Sequence, residues 1–507
     1  MSQKRKFQRV LIANRGEIAL RIIRTLRDMG LESVAVYSEA DKDSSHRMMA
    51  DYAVCLKGNL SSETYLDQDK ILAAMKASGA TALHPGYGFL SENAAFAAAV
   101  TEAGYTFIGP SAKSMGLLGD KVQAKKLMIE NDIPVTPGSR GGLSTLEELQ
   151  ELVEEMGFPL ILKAAAGGGG RGMRVVRQKS DLSEAFLGCQ REALSYFGNP
   201  EIFAERFVEN PRHIEVQVLC DSHGQGFHLN ERDCSVQRRH QKLIEEAPSL
   251  YLDDKKRRAL GEIAVKAALA AGYEGVGTVE FICESKEKIY FMEMNTRIQV
   301  EHTVTEEITR TDLIHQQVLV ALGEKLTLKQ EALEPQGWSI ECRINAEDAP
   351  KGFVPNPGKI TKLRLPMGPS VRVDSHIYEG YTIPAHYDSM IAKVIVWGPD
   401  REAAVARMLR ALGELVIEGI PTTARFHEAV LKHPLFVAGD LNTGFVESEF
   451  ENLKAKMVAD DAAGDPLAAV LAAIKVQDAK FQRPLVGGAE GSKWQEASRV
   501  EAIGAKV

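Results

Sequence analysis

The sequence lacks several features that would assign it to large classes of protein. No CxxC pair occurs, which argues against zinc sites and a disulfide framework and favours a reducing compartment. The 69 acidic residues exceed the 61 basic ones, so no basic excess is available for a nucleic-acid backbone. No apolar run approaches the ~20 residues that cross a bilayer, and the N-terminus lacks a signal-peptide pattern. We therefore expect a cytoplasmic protein that binds neither nucleic acid nor membrane.

Two common nucleotide-binding signatures are also missing. The turn Asn14-Arg15-Gly16 is not GxGxxG, and no Gly-Lys-Ser/Thr sequence forms a Walker A loop. The chain instead carries four consecutive glycines, 167–170, between two predicted strands, the first of which ends in Lys163. Such a loop costs backbone entropy, and it suits a segment that brings backbone N–H groups against phosphate oxygens. A flexible linker is the alternative.

The length of 507 residues predicts several domains, roughly three. Near the N-terminus, a short apolar run at 9–13, a helical repeat of Ile18, Ile22 and Leu26, and a second apolar run form a strand–helix–strand pattern. This pattern is typical of a parallel sheet. Short strand-like segments separated by Gly and Pro after residue 338 predict a small α+β domain.

An acidic strand face is the clearest candidate for a metal site. Glu293 and Asn295 fall on alternate positions after an apolar start, and Glu280 lies in an earlier apolar run. A tight connection centred on Lys286 and Glu287 would bring Glu280 opposite Glu293. Two carboxylates and an amide oxygen on one face favour a hard divalent cation such as Mg²⁺, although a solvated acidic face is possible. If the chain stays extended, the same face continues through Arg297, Gln299 and Glu301.

Basic residues crowd into one short segment of this acidic protein. They are Arg232, Arg238, Arg239, His240 and Lys242. The cluster either faces an anionic pocket or forms a solvated basic loop, and the sequence leaves both possibilities open.

The tetrapeptide Ala74-Met75-Lys76-Ala77 is similar to the site at which biotin is attached to carrier domains. Here it lies in a segment whose Ile71, Leu72 and Met75 have helical spacing. An acceptor lysine would instead sit on a hairpin turn. We therefore expect no biotin attached to this chain.

Eight segments, in order, resemble the signature set of biotin carboxylase, an ATP-grasp enzyme. They read LIANRGEIALRI, HPGYGFLSEN, GDK, KAAAGGGGRGM, ENPRHIEVQV, ERDCSVQRRHQK, EMNTRIQVEH and ECRINAED. The resemblance implies α/β and α+β architecture in three parts. These are a Rossmann-like domain (1–118), an ATP-grasp domain (119–334) with a mobile glycine-rich lid at about 135–207, and a C-terminal α+β domain (335–446).

The resemblance also implies functional residues. The ATP site would comprise Lys121, Lys163, Gly169, Gly170, Glu205, Arg206, Phe207, Val208, His213, His240 and Glu280. Two Mg²⁺ or Mn²⁺ ions would be held by Glu280, Glu293 and Asn295. Bicarbonate would be bound by Lys242, Arg297, Gln299 and Val300, with Lys242 and Arg297 also catalytic. Glu301 would be the general base, and Arg343 would meet the ureido oxygen of biotin.

The implied activity is ATP- and bicarbonate-dependent carboxylation of biotin through carboxyphosphate. The implied partners are a separate biotin carboxyl carrier protein and a carboxyltransferase subunit, in a complex that contains a homodimer of this chain. The alternatives are another ATP-grasp ligase, of the carboxylate–amine or carbamoyl-phosphate type, and a nucleotide-binding scaffold without catalysis. The scaffold predicts loss of Glu301, Arg343 or the metal carboxylates, all of which are present.

The tail, residues 447–507, differs from the rest of the chain. Asp465 as N-cap, Pro466 at the first helical position and apolar residues on one face predict an amphipathic helix at 466–474. This helix either docks on a partner subunit or packs back on the C-terminal domain.

Overall fold

The computed structural model describes residues 6–139, 141–164 and 173–462. Gly169, Gly170 and the helix predicted at 466–474 lie outside the described residues. The chain divides into two compact units, Met1–Lys454 and Ala455–Val507, and the description below concerns the first. None of the helices in the described ranges combines the length and hydrophobicity needed to span a bilayer.

The first part of the chain forms a parallel sheet flanked by helices. Its elements are β1 (Arg9–Ile12), α1 (Gly16–Asp28), β2 (Glu32–Tyr37), α2 (Ser45–Met49), β3 (Tyr52–Cys55), α3 (Gln68–Ser78), β4 (Ala82–His84), α4 (Ala94–Glu102) and β5 (Thr106–Phe107). The strand order is β3-β2-β1-β4-β5. The predicted strand–helix–strand unit is confirmed, with Ile18, Ile22 and Leu26 of α1 buried.

The loop HPGYGFLSEN follows β4 at a topological switch point of this sheet. Strands β2 and β4 flank β1 on opposite sides, and both pair with it in parallel. Crevices at the carboxyl ends of parallel strands bind ligands where the strand order reverses. HPGYGFLSEN therefore lies at an edge of the sheet that can bind a ligand.

The tetrapeptide that resembles a biotin attachment site lies within α3. Ala74 and Met75 are buried there, and Asp67 caps the helix by accepting from the Lys70 N–H. The helix interpretation is confirmed.

A small antiparallel sheet, β7-β6-β8, forms the described part of the predicted lid. The elements from the end of the first sheet through this one are α5 (Ala112–Gly119), α6 (Lys121–Glu130), α7 (Leu146–Met156), β6 (Leu160–Ala164), β7 (Met173–Val176), α8 (Leu182–Phe197) and β8 (Ile202–Arg206). Its apolar core includes Leu160, Leu162, Ile202 and Phe186. Strand β6 therefore places Lys163 next to the glycine-rich segment, as the sequence predicts.

The remaining elements form a large antiparallel sheet, two two-stranded sheets and several helices. They are β9 (Arg212–Cys220), β10 (Gly226–Arg238), β11 (Gln241–Ala247), α9 (Asp254–Ala270), β12 (Gly275–Cys283), β13 (Ile289–Asn295), α10 (His302–Thr309), α11 (Leu313–Ala321), β14 (Trp338–Asn345), β15 (Glu347–Asp348), β16 (Val354–Pro355), β17 (Lys362–Arg364), β18 (Val371–Ser375), β19 (Met390–Gly398), α12 (Arg401–Glu414), β20 (Val416–Glu418), α13 (Ala424–Leu431), α14 (Pro434–Ala438) and α15 (Phe445–Ala462).

This sheet crosses the boundary expected between the second and third domains. Its order is β13-β12-β9-β10-β11-β14-β19-β18, and β11 pairs with β14 from Ile244–Cys342 to Ala247–Ser339. Pairing satisfies the backbone groups that a sheet edge at β11 would otherwise expose. Strands on both sides of the expected boundary at residue 335 therefore contribute to one surface.

The segment 302–322 forms two helices. Helix α10 ends at Thr309, Arg310 adopts a positive φ of 55°, and α11 begins at Leu313. The Asp312 carboxylate accepts from the His315 N–H and so caps a new helix. A local capping residue therefore interrupts the apolar periodicity.

Candidate active site

Two strands place the predicted metal carboxylates opposite each other. Glu280 of β12 and Glu293 of β13 are direct cross-strand partners, and a turn in which the Lys288 N–H donates to the Ser285 carbonyl (3.2 Å) joins the strands. The predicted register and connection are confirmed. Burial and the neighbouring Glu280 carboxylate both raise the pKa of Glu293, because two negative charges without a cation repel each other.

The segment after β13 does not stay extended, so that expectation is wrong. The strand ends at Asn295, the chain turns, and α10 begins at His302. The turn nevertheless brings the side chains of Arg297 and Gln299 into contact with Asn295 and Glu280. Gln299 Nε2 donates to Glu280 Oε1 (2.9 Å), and Arg297 Nη2 donates to Asn295 Oδ1 (3.1 Å).

Lys242 donates hydrogen bonds to three carboxylates of the site. Its Nζ donates to Glu215 (2.5 Å), Glu280 (3.0 Å) and Glu301 (2.6 Å). Burial opposes the charge of Lys242, but the three carboxylates outweigh that cost and hold its pKa well above the usual range. Burial likewise opposes the ionised form of Glu301, but Lys242 outweighs it and the pKa of Glu301 is lowered. Glu301 is therefore an ionised, buried carboxylate able to accept a proton.

Arg343 shares Glu301 with Lys242. Arg343 Nη2 donates to Glu301 Oε2 (3.0 Å), and its Nε donates to Glu245 Oε1 (2.6 Å). The guanidinium comes from β14, whereas Glu301 precedes α10, so the continuous sheet brings them together. The structure therefore places the residue expected to bind biotin beside the expected general base.

The basic segment separates into two groups. Arg232 is fully buried and donates to Glu215 (2.6 Å), and Lys242 faces the same cluster. Arg239 and His240 have positive φ and form the exposed turn between β10 and β11. Arg232 and Lys242 thus contact buried carboxylates, whereas His240, expected near the nucleotide, lies on an exposed turn.

The residues expected at the nucleotide lie on the small sheet and on α6. Lys163 Nζ donates to Glu205 Oε2 (2.6 Å), and Lys125 Nζ donates to its other oxygen (3.3 Å). Burial raises the pKa of Glu205, but the two lysines outweigh burial and lower it. Lys121 begins α6 and is exposed. Its charge partly offsets the rise in the pKa of Glu293 that burial and Glu280 cause.

Other residues of the expected nucleotide set follow Glu205 in the chain or lie on β9. Arg206 Nη2 donates to Glu284 (3.0 Å), Phe207 is half-buried, and Val208 is buried. His213 is buried, with Nε2 3.2 Å from Glu280 Oε2. His213 therefore lies at the metal carboxylates as well as near the nucleotide residues.

The donor chemistry of Glu280 and Glu293 fits Mg²⁺ or Mn²⁺. Both are hard oxygen ligands on facing strands, and a cation between them would relieve the repulsion that raises the pKa of Glu293. Asn295 is arranged differently from the expectation. Its Oδ1 accepts from Arg297, whereas its Nδ2 donates to Glu280 Oε1 (2.8 Å).

Sequence reasoning missed several hydrogen-bonding partners of these residues, of which all but Glu92 are buried. They are Glu92, Glu215, Glu245 and Lys393. Lys393 is fully buried, and its Nζ donates to the backbone carbonyl of Val300 (2.7 Å). The only available signal was alternation, because Glu215 and Gln217 fall on one face of the otherwise apolar strand β9.

Family models match nearly all of the described chain. The biotin carboxylase N-terminal domain matches residues 6–115, and the biotin carboxylase C-terminal domain matches residues 341–448. Between them, residues 120–329 match the ATP-binding domain of the carbamoyl-phosphate synthase L chain.

Named relatives cover most of the chain. It is 53% identical over 442 residues to biotin carboxylase 1 of Bacillus subtilis, covering 87% of this chain and 98% of that protein. It is 50% identical over 442 residues to biotin carboxylase of Nostoc sp., covering 87% and 99%.

Solved structures show the same fold. A Campylobacter jejuni biotin carboxylase βγ-ATP complex has a TM-score of 0.84 at 50% identity, covering 87% of this chain and 99% of that one. The biotin carboxylase domain dimer of Hydrogenobacter thermophilus 2-oxoglutarate carboxylase, complexed with MgADP, ADP and bicarbonate, has a TM-score of 0.84 at 45% identity, covering 89% and 99%. The predicted fold class is confirmed.

Proposed function

This chain belongs to the biotin carboxylase family, and we propose that it carboxylates biotin held by a separate carrier protein. It is an ADP-forming ligase that uses ATP, Mg²⁺ and bicarbonate, like its relatives. The alternative, another ATP-grasp ligase, is not supported by these relatives. The reaction is the first half of a biotin-dependent carboxylation.

The observation that carries the proposed mechanism is the shared position of Glu301. One of its oxygens accepts from Lys242 (2.6 Å), and the other accepts from Arg343 (3.0 Å). A buried base between a bicarbonate-binding lysine and a biotin-binding arginine serves both substrates of one carboxyl transfer. Its charge is stabilised by both cations, so it is ionised before bicarbonate arrives.

Bicarbonate must first be activated, because its carbon is a poor electrophile. Glu301 takes the bicarbonate proton, and a bicarbonate oxygen attacks the γ-phosphorus of ATP to give carboxyphosphate and ADP. Lys121 and Lys163 bind the phosphates, and Lys242, Arg297, Gln299 and Val300 orient bicarbonate. A divalent cation held by Glu280 and Glu293, with Asn295 nearby, supplies charge neutralisation for the phosphoryl group when bound.

Biotin must then become a nucleophile. Carboxyphosphate breaks down to carbon dioxide and phosphate, and this phosphate takes the ureido N–H proton. The Arg343 guanidinium stabilises the negative charge left on the ureido oxygen, and the ureido nitrogen then attacks carbon dioxide. Glu245, fully buried, holds Arg343 through its Nε and so fixes the guanidinium plane. Carboxyl transfer therefore takes place at the carboxylate-rich end of the site, beside Arg343 and Glu301.

Several further assignments belong to this proposal. Residues 1–118, 119–334 and 335–446 are the three domains, and Glu205, Arg206, Phe207, Val208, His213 and His240 complete the nucleotide site. Gly169 and Gly170, which lie outside the described residues, belong to the ATP site in this proposal. The chain works in the cytoplasm as a homodimer with a carrier protein and a carboxyltransferase subunit. No disulfide joins the cysteines of the described residues, which fits a reducing compartment.

The test is ATP hydrolysis by the purified chain. We expect ADP release that requires bicarbonate and rises when free biotin is added. ADP release that rises with ammonia or an amino acid, and not with biotin, would support the alternative ligase. Equal ADP release with and without bicarbonate would contradict the proposed function.

A further inference from the structure

Glu92 connects the N-terminal parallel sheet to the bicarbonate residues. It lies in the loop HPGYGFLSEN that follows β4. Its Oε1 accepts from the Thr296 N–H (3.1 Å), and its Oε2 accepts from Arg297 Nε (2.9 Å). One carboxylate therefore holds both the backbone and the side chain of the turn after β13.

The contacts of Arg297 leave a defined part of its guanidinium available. A guanidinium has five N–H groups. In Arg297, Nε donates to Glu92, Nη1 donates to the Ile298 carbonyl (3.2 Å), and Nη2 donates to Asn295 Oδ1 (3.1 Å). One N–H on each Nη remains without an acceptor among the described residues. N–H groups on the two Nη atoms of one guanidinium can donate to the two oxygens of a small planar anion.

The charge balance also depends on Glu92. Burial opposes the charged form of Arg297, and Glu92 is the first of the carboxylates that outweigh burial and raise its pKa. Glu301 and Glu280, the next in order, both accept from Lys242. Glu92 is thus the carboxylate that forms an ion pair with Arg297.

We infer that Glu92 is a positioning residue for bicarbonate, fixing the Arg297 guanidinium so that its two remaining N–H groups face the substrate. The inference rests on the proposed function. Bicarbonate binding then requires the N-terminal domain as well as the ATP-grasp domain. The Glu92 carboxylate is 42% exposed, so its contribution comes from geometry more than from strong Coulomb attraction.

The test is the substrate dependence of Glu92→Gln. The amide keeps the size of the side chain but removes its charge and one acceptor oxygen. We expect the KM for bicarbonate to rise about tenfold, since a charge-assisted hydrogen bond that orients a substrate ligand is lost. The KM for ATP should stay within about twofold, because the lysines at the phosphates are unchanged.

The matched control is Glu102→Gln, at the end of α4. Glu102 is exposed and makes no hydrogen bond or ion pair with the residues that the structure describes. This variant carries the same charge change in the same domain and should retain wild-type constants. If Glu92→Gln is poorly folded, Glu92→Asp, one methylene shorter, should show the same bicarbonate-specific rise.

A double-variant comparison separates positioning from a general structural role. In an Arg297→Gln background, Glu92→Gln should raise the bicarbonate KM no further. Unchanged constants, an equal rise in both KM values, or a fall in the bicarbonate KM would each overturn the inference. A fall would show that Glu92 competes with bicarbonate for Arg297. Wild-type enzyme without bicarbonate-dependent ADP release would instead contradict the proposed function.

Discussion

Lys242 and Lys163 both pair with glutamate, but the two ion pairs lie in different kinds of structure. Lys242 is 12% exposed and contacts three carboxylates presented by the large sheet and the turn before α10. Lys163 is 24% exposed and pairs with Glu205 between two strands of the small sheet. The end of the site proposed to bind bicarbonate and biotin is thus buried and assembled from several chain segments. The end proposed to bind the nucleotide is formed locally and is more open.

The difference follows from what each end must do. Stabilising developing charge is most effective when dipoles and charges are fixed before the reaction, which favours a rigid, buried cluster. A nucleotide has to enter and leave, which favours a more exposed lysine on a separate sheet, as Lys163 is. The two ends meet at Glu280, which accepts from Lys242 and pairs in register with Glu293.

The largest expected effect is loss of the buried base. Glu301→Gln should lower kcat for biotin-dependent ADP release by about 10²–10⁴-fold, because the amide cannot take the bicarbonate proton. The KM for ATP should change little, because the nucleotide end is separate. Steady-state kinetics with ATP and bicarbonate varied in turn gives both values.

Thermal unfolding provides the control for Glu301→Gln. Removing one carboxylate leaves Lys242 with Glu215 and Glu280, so the fold should persist. Retention of more than about a tenth of wild-type kcat would exclude Glu301 as the general base.

A second variant pair tests the nucleotide end. Lys163→Gln should raise the KM for ATP by roughly tenfold or more, since a lysine at a phosphate group contributes charge directly. Lys125→Gln, which removes the longer 3.3 Å contact to Glu205, should have a smaller effect. Both should leave the bicarbonate KM near the wild-type value. A larger rise for bicarbonate than for ATP in Lys163→Gln would refute the separation of the two ends.

The smallest expected effect concerns pH and stability. Burial, opposed by Lys393 and reinforced by Glu245, raises the pKa of Glu341 to about 8. The folded chain therefore keeps a proton that the unfolded carboxyl, with a pKa of 4.5, releases. By linkage, this group lowers the free energy of unfolding as pH rises from 4.5 to about 8, and its contribution is constant above that range.

Glu341→Gln checks this sign. The amide does not titrate, so the urea midpoint should fall less between pH 5 and pH 8 in the variant than in wild type. Glu102→Gln should retain the wild-type difference. A steeper pH dependence in Glu341→Gln would contradict a protonated Glu341 in the fold.

The local geometry was predicted well from the sequence where a short segment followed a single periodicity of apolar residues, either strand alternation or helical spacing. Alternation and a tight turn were sufficient to place Glu280 opposite Glu293, and helical spacing with a left-handed Gly30 (φ 70°) was sufficient for α1. The extension of the face to Glu301 failed, because the chain turns at Thr296 and the polar residues converge from a loop instead.

The missed features depend on tertiary pairing. Glu245 is identified only once β11 pairs with β14, and Lys393 only once β19 continues the same sheet. Each is a charged residue in an apolar strand, which a one-dimensional pattern cannot distinguish from an outward-facing position. The role of Glu92 is still harder to predict from the sequence, since its partner Arg297 lies 205 residues away in the chain.

The most direct measurement follows oxygen from bicarbonate. With ¹⁸O-labelled bicarbonate, ATP and biotin, the account predicts one labelled oxygen in the inorganic phosphate released, detected by mass spectrometry. The bicarbonate oxygen that attacks the γ-phosphorus stays with phosphate when the carboxyl group leaves for biotin. Inorganic phosphate free of label, while carboxybiotin still forms, would contradict the meeting of bicarbonate and the nucleotide at this edge of the sheet.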